Sequence, residues 1–147
     1  MILPGVFADA NVFVAAAASE KGGSRLILNL ASENKISLFT VRHALHEAER
    51  NIQIKLGQKY LLVYYQLLLE SKPKIQSLST ATLKEIEALR QIVPIKDVPI
   101  LLGAIFSDAE FLLTLDKKDF LNNEKLAELK LPFAIVSPGE FIEKYLK

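Results

Sequence analysis

Val6-Phe7-Ala8-Asp9-Ala10-Asn11-Val12 decides the fold class. Val6 to Ala8 is a short apolar run that reads as a buried strand, and it stops on an aspartate. The pattern returns far along the chain in Glu110-Phe111-Leu112-Leu113-Thr114-Leu115-Asp116, a second strand-like run closing on an acid. Unbroken apolar runs, rather than alternation, are what strands covered on both faces look like. Helical patterns fill the intervals. Asn11 to Ala18 is a short helix, and Ser24 to Glu33 carries Leu26, Ile27, Leu30 and Ala31 at helical spacing. Val41 to Leu56 has the stripe Val41, Leu45, Ala48 and Ile52, and Gly57 interrupts it. Leu61 to Glu70 is apolar nearly all round and closes before Pro73. Thr82 to Gln91 is a further helix, with Ser79 or Thr80 as its cap. Asp97 leads a helix to about Asp108, and Phe141 to Leu146 closes the chain. Ile36 to Phe39, Ile92 to Ile95 and Phe133 to Val136 read as the remaining strands. Strands alternating with helices give an α/β fold around a mostly parallel sheet.

That arrangement has a consequence for chemistry. Open α/β sheets build their sites outside the carboxyl ends of the strands. Asp9 and Asp116 both lie at such an end, and Asp97, at the start of a helix, reaches the same edge. Three acids far apart in sequence thus converge.

Bulk composition bounds what these acids can do. The 147 residues suit one compact domain; half are hydrophobic and 24% are charged, a globular balance. With a net charge of +1 there is no strongly basic surface, so contact with nucleic acid rests on a local patch or on metal ions. The chain has no Cys, which excludes disulfides and thiolate metal sites. Asp9 interrupts the apolar start and no basic segment precedes it, so a secretory leader is not expected. Tyr60 to Leu69 and Val98 to Phe106 fall short of the ~20 residues of a membrane span. The expectation is a soluble, cytoplasmic protein.

Taken singly, each acid has an ordinary explanation. Asp9 and Asp97 would cap the helices that follow them. Asp116 and Asp119 would be turn residues after a strand. Glu47 and Glu49 would be solvated charges on a helix. Taken together they resemble a known family. Ala8-Asp9-Ala10-Asn11-Val12 is similar to the strand-plus-D-x-N opening of the PIN domain. Leu38-Phe39-Thr40-Val41 leading to Ala44-Leu45-His46-Glu47-Ala48 is similar to the strand, turn and helix that carry its second acid. Asp97-Val98-Pro99-Ile100-Leu101 through Thr114-Leu115-Asp116-Lys117-Lys118-Asp119-Phe120 looks like its helix with a leading Asp, then a strand closing in T-x-D-x-x-F. The series runs in order along nearly the whole chain.

The resemblance implies a single PIN-like nuclease domain over residues 1–147, a three-layer α/β/α fold with a central, mostly parallel sheet. It implies hydrolysis of RNA phosphodiesters with Mg²⁺ or Mn²⁺, hard ions that carboxylates hold and that lower the pKa of bound water. Water as nucleophile leaves a 5′-phosphate and a 3′-hydroxyl. Asp9, Glu47, Asp97 and Asp116 match the four acids of metal binding and catalysis. Asn11, Thr40 and Thr114 match polar positions that orient the carboxylates, and Asp119 matches a turn or supporting position. For the second acid the residues alone leave a choice, because the apolar stripe brings Glu49 nearer its border. The family's apolar pair, one residue, then Glu, matches Glu47. Toxins of this family pair with an antitoxin and form homodimers, and the Tyr60 to Leu69 segment, rich in Tyr and Leu, suits such an interface.

Lys117 and Lys118 beside Asp116, with Arg42, are the candidates for holding RNA phosphates. His43 and His46 lack the spacing of a zinc pair and read as surface histidines. Competing readings are a PIN-like nuclease of RNA processing outside a toxin pair and a catalytically silent PIN-like module that binds RNA or protein. A haloacid-dehalogenase-like phosphatase is disfavoured, because Asn11 stands where that family has its second acid.

Overall fold

A computed structural model describes residues 2–146. Five strands, β1 (Gly5–Ala8), β2 (Ser37–Thr40), β3 (Lys74–Ile75), β4 (Phe111–Leu113) and β5 (Ala134–Val136), form one sheet in the order β3-β2-β1-β4-β5. Every pairing is parallel. The helices are α1 (Ala10–Ala18), α2 (Gly23–Ser32), α3 (Arg42–Lys55), α4 (Gln58–Ser71), α5 (Leu83–Arg90), α6 (Val98–Phe106), α7 (Glu124–Ala127) and α8 (Pro138–Tyr145). Helices α1 to α4 pack on one another with α8 against α2, while α5 packs on α6 and α6 on β2. Parallel strands need right-handed crossovers, and a strand order that runs outward in both directions from β1 and β4 sends the two groups of helices to opposite faces. The result is the expected three-layer α/β/α architecture.

Burial explains why β1 reads as a run. All four of its residues are buried, because helices cover both faces. Phe7, Leu112 and Leu113 have no exposed surface and form the centre of the core with Phe13, Ile27 and Leu101. Gly103 lets α6 press onto this centre. A methyl group there would meet Val41 Cγ1 and stand 2.8 Å from carbons of the Phe7 ring. The close approach holds α6 against the sheet, and Asp97, at its N-terminal end, stands near enough to Asp9 for their charges to interact.

Several sequence expectations need correction. Ile92 to Ile95 is not a strand: it is a turn entering a single 3₁₀ turn over Ile95–Asp97, with Val93 buried and no strand alongside. The cap of α5 is Thr82, not Ser79 or Thr80. Its side chain accepts from Glu85 N–H while the Glu85 carboxylate accepts from Thr82 N–H, a reciprocal capping box. The helix read from Leu61 begins at Gln58, and it is not buried on every side. Tyr64 and Leu67 face the core, whereas Leu62 is 63% and Leu69 71% exposed. β4 ends at Leu113, so Asp116 stands three residues past the strand. The short β3 and α7 carry too little apolar pattern to be read from sequence. No helix among the described residues is long and apolar enough to cross a membrane.

Candidate active site

The strand order reverses direction between β1 and β4, the place where an open sheet leaves a crevice at its carboxyl edge. Asp9 follows β1 there. Its N–H still donates to Leu113 C=O at 3.0 Å, continuing the ladder, while its backbone turns into α1. One carboxylate oxygen accepts from Ala10 N–H at 2.7 Å. The other accepts from the Thr114 hydroxyl at 2.8 Å and from the Asn11 amide at 3.3 Å. The same Thr114 oxygen accepts from Asn11 Nδ2 at 3.2 Å and from Asp116 N–H at 3.1 Å. Asn11 Oδ1 in turn accepts from Leu115 N–H at 3.0 Å. The D-x-N and T-x-D segments, far apart in the chain, are thus laced together across the crevice. Thr40 takes a different role from the one expected beside the acids. Its buried hydroxyl donates to Ala8 C=O at 2.9 Å, holding the end of β2 to the end of β1 without touching a carboxylate.

Asp97 closes the 3₁₀ turn and stands at the N-cap of α6, yet its side chain makes no cap hydrogen bond. It is only 6% exposed, and its Oδ2 is buried without a hydrogen-bond partner. Leaving a buried polar oxygen unmatched costs ~1–3 kcal/mol, more when it is charged. Asp116 leaves β4 into a wide turn over Lys117–Leu121, closed by Leu121 N–H to Asp116 C=O and Asn122 N–H to Lys117 C=O. Its Oδ1 accepts from Asp119 N–H at 2.9 Å, so the turn folds Asp119 back toward it. Asp97, Asp116 and Asp119 each present a carboxylate oxygen within 4.8 Å of the others. Asp119, expected only in a supporting place, therefore lies within this tight group, while Asp9 joins it through Thr114.

The electrostatics follow from burial first and from that crowding second. Burial, with smaller contributions from Asp9, Asp119 and Asp116, pushes the Asp97 carboxyl up to about 7, although Lys96 pulls it down. Burial likewise raises Asp9 to about 6, with Glu47 and Asp116 adding to the rise and the hydrogen bonds from Thr114 and Ala10 opposing it. Glu47 is thus near enough for its charge to act on Asp9. Glu49 points elsewhere: its Oε2 accepts from the Tyr65 hydroxyl of α4 at 2.8 Å. Glu47 Oε2 lies 3.6 Å from His43 Nε2, which is also 3.0 Å from Lys96 C=O. His43, read from sequence as a surface residue, therefore links α3 to the turn that carries Asp97. No sequence signal marks it, because the link depends on a contact across distant parts of the chain. Arg42, Lys117 and Lys118 are exposed and make no ion pair among the described residues.

The donor set is all oxygen and strongly anionic, and one of its buried oxygens lacks any partner. These features fit a hard divalent cation, which would neutralise the cluster and occupy the open valence of Asp97.

The fold has counterparts among solved structures. A chain from the crystal structure of VapBC2 from Rickettsia felis, bound to a DNA fragment from their promoter, is 20% identical; the match covers 92% of this chain and 98% of that one, with a TM-score of 0.64. A chain of FitAcB from Neisseria gonorrhoeae is 15% identical over 91% of this chain and 98% of its own, with a TM-score of 0.56. The likeness shows that this chain shares its fold, the expected PIN-like three-layer architecture, with a chain of each structure. No protein-family model matches the chain, and no curated protein matches its sequence.

Proposed function

We propose that this protein is a divalent-metal-dependent endoribonuclease, one PIN-like nuclease domain over residues 1–147, acting in the cytoplasm as the toxin of a type II toxin–antitoxin pair. The observation that carries the proposal is the unpartnered, buried Asp97 Oδ2 beside the carboxylates of Asp116 and Asp119. Burial, with the neighbouring acids adding to it, raises the carboxyls of Asp97 and Asp9, so their charged forms are unfavourable and a cation would relieve them. Asp97, Asp116 and Asp9 would hold Mg²⁺ or Mn²⁺, with Asp119 alongside and Glu47 at the margin. Such an ion supplies charge neutralisation at the scissile phosphate and an acidified water. Thr114 and Asn11 orient the Asp9 carboxylate. Glu47, partly exposed and 3.6 Å from His43, would accept a proton from the attacking water. Lys117 and Lys118 flank Asp116 and would meet the RNA backbone.

The toxin reading has support from the complexes named above, VapBC2 and FitAcB, in which chains of this fold occur with partners. An antitoxin and a second copy of the chain are the proposed partners, and the exposed Leu62, Tyr65 and Leu69 on α4 offer apolar surface for them. The test is induction of the chain in a bacterial host, beside its Asp116→Ala variant expressed to the same level. Growth arrest with RNA cleavage is expected from the unaltered chain alone. Equal growth of the two cultures overturns the toxin reading.

A further inference from the structure

The carboxyl edge of the sheet carries a second recess next to the acids. It is an open cleft of about 380 Å³ lined by Arg42 and His43 at the start of α3 and by Ile75, Gln76, Ser77 and Leu78 at the end of β3 and beyond. Gln76 N–H donates to Thr40 C=O at 2.8 Å, which fixes this wall to the end of β2. His43 belongs to both places: it lines the cleft, and its Nε2 stands 3.6 Å from Glu47 Oε2. His43 thus stands between the cleft and Glu47, and its contact with Lys96 C=O ties it to the turn that carries Asp97.

The lining is mixed in a useful way. Ile75, nearly half exposed, and Leu78 offer apolar surface to the flat face of a base. Gln76 offers its Oε1 as an acceptor for the base edge, while its Nε2 donates to Ser77 C=O and the Ser77 hydroxyl is engaged with Ser79. Arg42 is an exposed cation with no ion-pair partner among the described residues, and it lies at the opening of a helix that no side chain caps. Its planar guanidinium suits a phosphate. The volume falls within the ~300–1,000 Å³ range of small-ligand sites, enough for one nucleotide.

We infer that this cleft is a nucleotide subsite for single-stranded RNA. It takes the nucleotide beside the phosphate held at the acids, with Arg42 on the backbone and Ile75 and Leu78 against the base. The inference rests on the nuclease reading of the acids for its register along the strand. Only an unpaired base can turn into the cleft, so duplex RNA is disfavoured.

The test is binding, measured apart from cleavage. The probe is a fluorescein-labelled single-stranded RNA 12-mer of random sequence. The full chain carries Asp116→Asn to preserve the probe, with Arg42→Ala or Ser77→Trp added, and Mg²⁺ is present throughout. Fluorescence anisotropy is expected to show about tenfold weaker binding for Arg42→Ala, the effect of removing one charge-assisted hydrogen bond. The slope of log affinity against log salt should fall by about 0.7, the value for one phosphate of a single strand that is no longer neutralised. Ser77→Trp, an exposed position that fills the cleft without changing charge, should weaken binding and leave the slope unchanged. A duplex of the same length should bind more weakly than the single strand and be indifferent to Ser77→Trp.

Three results overturn the inference: a parent that binds no RNA, two variants that bind the single strand as tightly as the parent, or a Ser77→Trp effect of equal size on the duplex. Cleavage by the unaltered chain is scored separately. If it cuts RNA while Arg42→Ala and Ser77→Trp change nothing, the subsite falls and the nuclease reading stands. If the cleft binds as expected and the unaltered chain cuts nothing, the nuclease reading falls and the nucleotide site remains.

Discussion

Replacing Asp97 by Asn should make the metal-free protein more stable at pH 8 while removing the proposed metal-dependent cleavage. Asp97 is 6% exposed, its Oδ2 has no partner, and its carboxyl lies at about 7 rather than 3.8. The folded protein therefore holds this proton more tightly than the unfolded chain does. The associated stability is fully present below pH ~3.8 and is lost as the pH rises through about 7. The interval between 3.8 and about 7, at ~1.4 kcal/mol for each tenfold change, corresponds to ~4 kcal/mol at alkaline pH. Asp9, raised to about 6, acts in the same direction, and the two share one field, so their effects do not add. Asn keeps the shape and removes the charge, although its amide must still be desolvated. A net gain of roughly 2–4 kcal/mol at pH 8 follows, or about 5–15 °C in Tm for a chain of this length. At pH 5 Asp97 is already mostly protonated in the folded state, and the gain should shrink to less than half. Thermal unfolding in EDTA at both pH values reads this directly. Adding Mn²⁺ should reverse the order at pH 8 by stabilising the unaltered protein more. Parallel behaviour of the two proteins from pH 5 to 8 in EDTA, or a lower Tm for Asp97→Asn at pH 8, would show that the buried Asp97 carboxylate does not carry this penalty.

Other consequences can be checked the same way. Thr114→Val keeps the volume but removes the donor to Asp9 and the acceptor for Asp116 N–H. Affinity for Mn²⁺ should drop by roughly 10–100-fold, and titration by calorimetry that finds no change would count against the lacing of the two segments. Gly103→Ala should destabilise by ~1–3 kcal/mol through crowding of Val41 and Phe7. An unchanged urea midpoint would contradict the close seating of α6. Thr82→Ala removes the capping box of α5 and should lower stability by ~1 kcal/mol without affecting metal binding, which unfolding and titration measure separately.

The parts of the fold readable from sequence are those whose burial is one-sided or complete. β1 and β4 are legible because helices cover both their faces, and α3 because Ala44, Ala48 and Ile52 form one buried row. β3 is not, since its two residues are both exposed and pair only with the edge of β2. Ile92 and Val93 mislead for the opposite reason. Their apolar side chains face the core from a turn, and burial without a partner strand leaves the same mark in sequence. At the acids, strand-end logic reaches Asp9 and Asp116, but the period of α3 favours Glu49 over Glu47. A stripe reports which side of a helix faces the core; it does not distinguish the border toward α4, where Glu49 meets Tyr65, from the border toward Asp9. The spacing of Asp119 suits a turn, which puts it behind the cluster on sequence grounds. The wide turn after Asp116 instead folds it back beside Asp97 and Asp116, and that turn has no sequence pattern of its own.

These acids are proposed to hold a metal that cuts RNA. Incubating the purified chain and its Asp116→Ala variant with single-stranded RNA, in Mg²⁺ or Mn²⁺ and again in EDTA, tests it most directly. Cleavage is expected from the unaltered chain only when metal is present, with 5′-phosphate ends, and none from the variant although its fold is retained. Cleavage that survives EDTA, or undiminished metal-dependent cleavage by Asp116→Ala, would contradict it.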